Sequence, residues 1–263
     1  MTSIKNLFDL KQRAEKIAML TAYDASFAHA ATQAGVDVLL VGDSLGMVIQ
    51  GQVSTLPVSV NDMVYHTRMV RRGAAEAFII ADMPFLSVAG VDQALKNAGK
   101  LIQRAHANMV KIEGGQNVLP VIRTLVKNNV PVCGHLGLQP QSVEILGGYS
   151  VQGREDNQAQ QILQDARALQ EAGVQMLVLE CVPAKLAKQI SQSLDIPVIG
   201  IGAGVDCDGQ VLVCYDMLGI TAGKRPRFSH DFLQQAGSIQ AAIALYVSQV
   251  KQGSFPAAQH SFE

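Results

Sequence analysis

Short apolar runs recur along the whole chain, each followed by a small turn and a helix-like segment. The runs are Ile17 to Thr21, Val36 to Val41, Phe78 to Ala81, Met109 to Ile112, Val130 to Gly134, Met176 to Leu179, Ile196 to Ile201 and, with the weakest pattern, Gln210 to Val213. They are too brief for helices and most are too continuously apolar for strands with one wet face. Strands buried on both faces of a parallel sheet read this way. Between them, Ser59 to Gly73, Val91 to Ala107, Gln116 to Asn128, Gln158 to Ala172, Ala184 to Ser193 and Asp231 to Lys251 read as helices. Ser59 with Asp62 three residues on makes a capping-box-like start. Eight runs over 263 residues give about 33 residues per unit, the size of a βαβ repeat. Two units resemble each other: Ala34-Gly35-Val36 leads through an apolar strand to Asp43, and Ala172-Gly173-Val174 leads likewise to Glu180. No Pro/Ser-rich linker or charge block divides the chain. The expected architecture is therefore a single-domain α/β fold over residues 1–263, a (β/α)8 barrel of the TIM type. A doubly wound open sheet is the alternative.

Composition narrows the function classes. With 48% hydrophobic and 16% charged residues, the chain is rich in core. A balance of 21 Lys+Arg against 22 Asp+Glu leaves no basic excess for nucleic acid. No apolar stretch approaches the roughly 18 residues of a membrane span, and the charged segment Met1 to Lys16 does not read as a secretory signal. The 4 cysteines form no C-x-x-C pair, which argues against a disulfide framework or a thiolate zinc site. The expectation is a soluble cytoplasmic protein with reduced thiols.

The chemistry gathers where the strands end: Asp43-Ser44, Asp82, Lys111 with Glu113, His135, Glu180 and the Gly202-Ala203-Gly204 turn. In a parallel barrel those ends share one face, where active sites lie. An acid directly after a buried run is costly unless it meets a cation or donors, although a single one often only caps the next helix. Asp43, Asp82 and Glu113 are hard oxygen donors whose crowding implies a bound cation, and Mg²⁺ suits them. Lys111 and Ser44 can hold a substrate carboxylate. Lys111 reads alternatively as a counter-ion for Glu113, since the two side chains share a face of the strand. Glu180, flanked by Val178, Leu179, Cys181 and Val182, is expected to be desolvated, with a raised pKa, and to act as a general base. His135 either orients substrate, supports a neighbouring acid or is structural. Cys133 and Cys181 read as small core residues. Gly200 to Gly204 lacks the third glycine of a dinucleotide fingerprint, so a tight turn is expected that lets backbone approach the pocket. Leu136 to Asn157 is a candidate mobile lid, and Lys224, Arg225 and Arg227 form the densest basic cluster, which reads as a solvated rim.

These residues stand in stretches that resemble the ketopantoate hydroxymethyltransferase family. The stretches are Gly42-Asp43-Ser44-Leu45-Gly46-Met47, Thr55-Leu56-Pro57, Tyr65-His66-Thr67, Asp82-Met83-Pro84-Phe85 and Val110-Lys111-Ile112-Glu113-Gly114-Gly115. Gly134-His135-Leu136-Gly137-Leu138, Gly153-Arg154, Leu179-Glu180-Cys181-Val182-Pro183, Ile199 to Gly204 and Asp208-Gly209-Gln210-Val211-Leu212 continue the match, in one register over roughly residues 1–250. Departures occur at Leu86-Ser87-Val88, where an aromatic is expected near Val88, and at Tyr215, where the family often has His. The resemblance implies a cytoplasmic homodecamer of (β/α) barrels. It implies transfer of a hydroxymethyl group from 5,10-methylenetetrahydrofolate to 3-methyl-2-oxobutanoate, through a Mg²⁺-stabilised enolate, on the way to pantothenate. By the same likeness Asp43, Asp82 and Glu113 would form the metal site, directly or through water. Asp43, Ser44, Asp82 and Lys111 would contact the keto acid, and Glu180 would accept the proton. The rival readings are a Mg²⁺-dependent C–C or P–C lyase or mutase of a pyruvate-like acid, and a non-catalytic barrel.

Overall fold

The computed structural model describes residues 2–263. Eight parallel strands close into a barrel in sequential order: β1 (Ile17–Thr21), β2 (Val38–Val41), β3 (Phe78–Asp82), β4 (Met109–Glu113), β5 (Val132–Gly137), β6 (Met176–Glu180), β7 (Val198–Ile201) and β8 (Gly209–Leu212). β8 pairs with β1 through Ile17↔Gly209 to Leu20↔Leu212, and this pairing seals the ring. The open-sheet alternative is therefore excluded. Nearly every strand residue is buried, as expected for strands with side chains inside the barrel and helices outside.

The strands differ from the sequence reading mainly at their ends. Asp82, Glu113 and Glu180 are the last residues of their strands and His135 lies inside β5, because ladder hydrogen bonds carry the extended backbone past the apolar run. Ser59 caps the helix Val60–Gly73 with the reciprocal box to Asp62. The 91–107 segment changes from α-helix to a π turn at Lys100–Arg104. The 231–251 segment is two helices, Phe232–Ala236 and Ile239–Lys251, broken where Gly237 turns left-handed and Ser238 starts a new cap. Besides short four-residue turns of helix, two longer helices escaped the sequence pattern: Ile4–Gln12, which buries only Leu7, and Ala25–Gln33, which buries only Ala28 and Ala31. Such narrow apolar faces give a faint helical period.

Between β7 and β8 the crossover is a seven-residue turn, 202–208, with no helix. The helix Ile239–Lys251 covers the seam instead: the Tyr246 hydroxyl lies 2.8 and 3.0 Å from the carbonyls of Met19 on β1 and Gln210 on β8. The two similar units end their helices alike, with Gly35 at φ 86° and Gly173 at φ 96° before β2 and β6.

Candidate active site

The C-terminal rims of β2 to β6 bring the expected residues into one cavity of about 710 Å³, lined by Asp43, Ser44, Asp82, Lys111, Glu113, His135 and Glu180. Lys111 Nζ lies 3.1 Å from Asp82 Oδ1, both side chains being about 5% exposed. Asp82 Oδ2 accepts the Asp43 backbone N–H at 3.0 Å, which ties β3 to the turn after β2. His135 stands between two acids, with Nδ1 3.2 Å from Glu113 Oε1 and Nε2 3.2 Å from Glu180 Oε2. Its Nδ1 is also 3.2 Å from Lys111 Nζ. Gly137, at φ 90°, is where β5 passes β6: a Cβ there would meet the Glu180 carbonyl oxygen at 2.1 Å. Only glycine lets the two strand ends lie this close.

Burial and charge set the protonation of these groups. Burial, followed by the carboxylates of Asp82 and Glu113, pushes the Asp43 carboxyl well above its ordinary range. Burial also raises Asp82, against the pull of Lys111. For Glu113 burial acts upward, but His135 and Lys111 outweigh it and hold the group below its usual value. Burial and the Lys111 charge act to lower His135, yet Glu113 and Glu180 hold it up at about 9, so the imidazole is a cation at neutral pH. Lys111 is likewise held above its ordinary value: burial lowers it, and Asp82, Glu113 and Asp43 more than compensate. Burial lifts the Cys133 thiol to about 12 and raises Cys181 as well. Both are buried free thiols, inert as nucleophiles, as the sequence indicated.

Glu180 is less enclosed than its apolar neighbours suggest. Its apolar neighbours bury the strand, but the carboxylate itself reaches into the cavity with 15% of the side chain exposed and the His135 cation beside it. Cys181, the next residue, is left-handed at φ 48°, an uncommon conformation for a side-chain-bearing residue. This places the bend immediately after the acid.

The donor set fits a hard divalent cation. At the floor of the cavity four carboxyl groups (Asp43, Asp82, Glu113, Glu180) face two basic groups (Lys111, His135), a formal excess of two negative charges when all are ionised. Asp82 Oδ1 and Glu113 Oε1 are buried without an aligned hydrogen bond. Among the described residues no three His, Cys, Asp or Glu side chains converge tightly enough to enclose an ion unaided. A partial set of carboxylates, completed by water and substrate oxygens, is how Mg²⁺ is commonly held.

Sequence reasoning missed several supporting residues. Gln141 links three strand ends: its amide Nε2 donates to Asp43 Oδ2 at 2.8 Å and to the Met83 carbonyl at 3.0 Å, and its backbone N–H donates to Glu113 Oε2 at 3.1 Å. It lies in the 136–157 segment, the candidate lid. Buried Tyr23 places its hydroxyl 2.8 Å from Ser44 Oγ. Asp216, on the short helix after β8, lines the cavity and accepts from Thr221 Oγ1 at 2.5 Å. No sequence motif distinguishes Tyr23 or Gln141. Asp216 follows the weakest strand, where its position relative to the rim was least defined.

A model of the ketopantoate hydroxymethyltransferase family matches residues 1–258. The chain belongs to that family. A relative from Colwellia psychrerythraea named 3-methyl-2-oxobutanoate hydroxymethyltransferase is 57% identical over 258 residues, 98% of this chain and 97% of its own. One from Hahella chejuensis, named 3-methyl-2-oxobutanoate hydroxymethyltransferase 2, is 57% identical over 260 residues, 99% and 98% of the two chains. Among solved structures, phosphonopyruvate hydrolase in complex with oxalate and Mg²⁺ superposes with a TM-score of 0.64 at 12% identity, covering 99% of this chain and 93% of that one. A 2,3-dimethylmalate lyase of the PEP mutase/isocitrate lyase superfamily gives 0.62 at 17%, covering 90% and 89%. At those identities the likeness establishes the barrel alone.

Membership in the ketopantoate hydroxymethyltransferase family makes this protein an enzyme, a transferase, and excludes the reading as a non-catalytic barrel. Val88 and Tyr215, where the resemblance led to other residues being expected, lie outside the cavity lining. Tyr215 packs on Tyr23 and Phe27, ring centres 6.0 and 5.7 Å apart, and Val88 packs on the core. No helix is long and apolar enough to cross a membrane among the described residues.

Proposed function

We propose that the enzyme transfers a hydroxymethyl group from 5,10-methylenetetrahydrofolate to 3-methyl-2-oxobutanoate, forming 2-dehydropantoate and tetrahydrofolate in pantothenate biosynthesis. The observation that carries this reading is the floor of the cavity. A partly exposed acid, Glu180, stands beside a cationic His135 and shares the space with a Lys111–Asp82 pair and Asp43.

The substrate must lose a proton from the carbon next to its ketone, which is too weakly acidic for a carboxylate in water. Asp43, Asp82 and Glu113 would hold Mg²⁺, directly or through water, and the ion would supply Lewis acidity toward the oxygens of the keto acid. Lys111 and Ser44 bind the substrate carboxylate and fix the carbon–hydrogen bond toward Glu180. The Glu180 carboxylate takes the proton, with the His135 ring 3.2 Å away to orient it. Tyr23 holds Ser44 and Gln141 holds Asp43, so the groups are oriented before substrate arrives. The resulting carbon nucleophile forms a C–C bond to the one-carbon unit of the donor. One water supplies the new hydroxyl and tetrahydrofolate leaves. Cytoplasmic location and assembly as a homodecamer belong to the same proposal and are supported by family membership.

The test is to follow the keto acid with and without the folate donor in the presence of Mg²⁺. Consumption that requires the donor, with one tetrahydrofolate released per 2-dehydropantoate formed, supports the proposal. Cleavage of a pyruvate-like acid without donor would replace it with the lyase reading.

A further inference from the structure

The cavity has two electrically different ends. Its floor carries the four carboxylates described above. Its mouth, on the connection after β8, carries Lys224, Arg225 and Arg227, all exposed and all lining the cavity. In a chain of net charge −1, three cations within four residues are a local concentration. Asp231 meets Arg225 at 3.4 Å. Among the described residues no carboxylate comes within ion-pair distance of Lys224 or Arg227.

Arg227 is nevertheless held in place. Its Nε donates to the Gln259 carbonyl at 3.1 Å, and its guanidinium carbon lies 5.5 Å from the centre of the Phe262 ring. Phe228 and Phe262 form an aromatic stretch of the same wall. Both depend on Gly202, left-handed at φ 62°, where a Cβ would stand 3.0 Å from Phe262 and 3.1 Å from Phe228. This gives the glycine-rich turn a use: it admits two rings to the mouth. A guanidinium fixed by a carbonyl and a ring, with no carboxylate of its own, is prepared for an external anion. Flat rings beside it suit a ligand whose aromatic ring is followed by carboxylates.

We propose that this rim binds the p-aminobenzoyl-glutamate end of the folate. The benzoyl ring lies against Phe228 and Phe262, and the glutamate carboxylates lie on Lys224 and Arg227, with Arg225 adding to the field. The inference rests on the folate-donor reading above and gives the donor a direction, with its one-carbon end toward Glu180 and its tail at the mouth. The acidic floor reinforces that direction by repelling the carboxylates.

The experiment compares 5,10-methylenetetrahydrofolate with 5,10-methylenetetrahydropteroate, which lacks the glutamate. KM for each is measured in the wild type and in the Lys224→Gln/Arg227→Gln double variant, with keto-acid affinity and unfolding temperature measured alongside. In the wild type the pteroate should have a KM about tenfold higher than the folate, the scale of two rim charge pairs. The double variant should raise the folate KM by a similar factor and leave the pteroate KM, keto-acid affinity and unfolding temperature unchanged, so that the two losses do not add. Added salt should raise the folate KM more steeply in the wild type than in the variant. Equal discrimination between the donors in both proteins overturns the rim assignment and leaves the donor reading standing. An equal rise in folate KM in Lys96→Gln, on the outer helix Val91–Gly99, overturns it as a general charge effect. A wild type that uses neither donor removes the folate reading and the rim assignment with it.

Discussion

The two sides of the barrel do different work. From β2 to β6 every strand end presents a charged group: Asp43, Asp82, Lys111 with Glu113, His135 and Glu180. From β7 through β8 to β1 the strands end in Ile201, Leu212 and Thr21, and one crossover has lost its helix. The charged side is joined throughout by helical crossovers. The quiet side is free to close tightly, and its seam is held by backbone contacts and by the Tyr246 hydroxyl. The charged groups of the cavity floor are concentrated in one arc, and closure of the ring in the other, with the rim proposed for the folate tail standing beyond β8.

That contrast can be broken in measurable ways. The largest effect is expected at the charged arc with Glu180→Gln. It should keep Mg²⁺ and keto-acid binding yet slow exchange of the substrate proton with deuterated water by about a thousandfold, the usual weight of a general base. Unimpaired exchange would falsify the base assignment. Asp82→Ala leaves Lys111 without its 3.1 Å partner and should cost about 3 kcal/mol of stability. It should also weaken both Mg²⁺ and keto-acid binding in calorimetry, and unchanged Mg²⁺ affinity would redraw the proposed ligand set.

On the quiet arc, Gly209→Ala puts a Cβ 2.3 Å from the Ile17 carbonyl oxygen and 2.8 Å from Ile199. Backbone cannot yield as a side-chain tip does, so about 2 kcal/mol should be lost in denaturant unfolding, while activity per folded molecule persists. Loss of activity at full stability would mean that the two arcs are not separable. The smallest effect comes from pH. His135 is raised to about 9 from an ordinary 6.5, so its contribution to stability is complete below pH 6.5 and is lost as pH rises through 9. The metal-free protein should therefore show a falling unfolding temperature over that window, and His135→Asn should flatten it. An identical slope in the variant would assign the effect elsewhere.

The same asymmetry governed what could be read in advance. The arc from β2 to β6 was visible because buried parallel strands are continuous apolar runs, and a charged residue ending such a run stands out. Tyr23 and Gln141 did not stand out, since each acts through a contact with a residue distant in the chain, and Asp216 follows the weakest of the eight apolar runs. The helices Ile4–Gln12 and Ala25–Gln33 bury too few residues to mark a period.

The sequence by itself determined the number and order of the strands, the parallel barrel they favour and the set of polar groups at their ends, because those depend on local periodicity and on the cost of burying charge. Tertiary structure alone decided which groups touch. His135 became a cation by standing between Glu113 and Glu180, and Asp43 was pushed upward by burial and by carboxylates from β3 and β4. Electrostatic character falls off with distance through space, and the distances between residues far apart in the chain are set only when the ring closes.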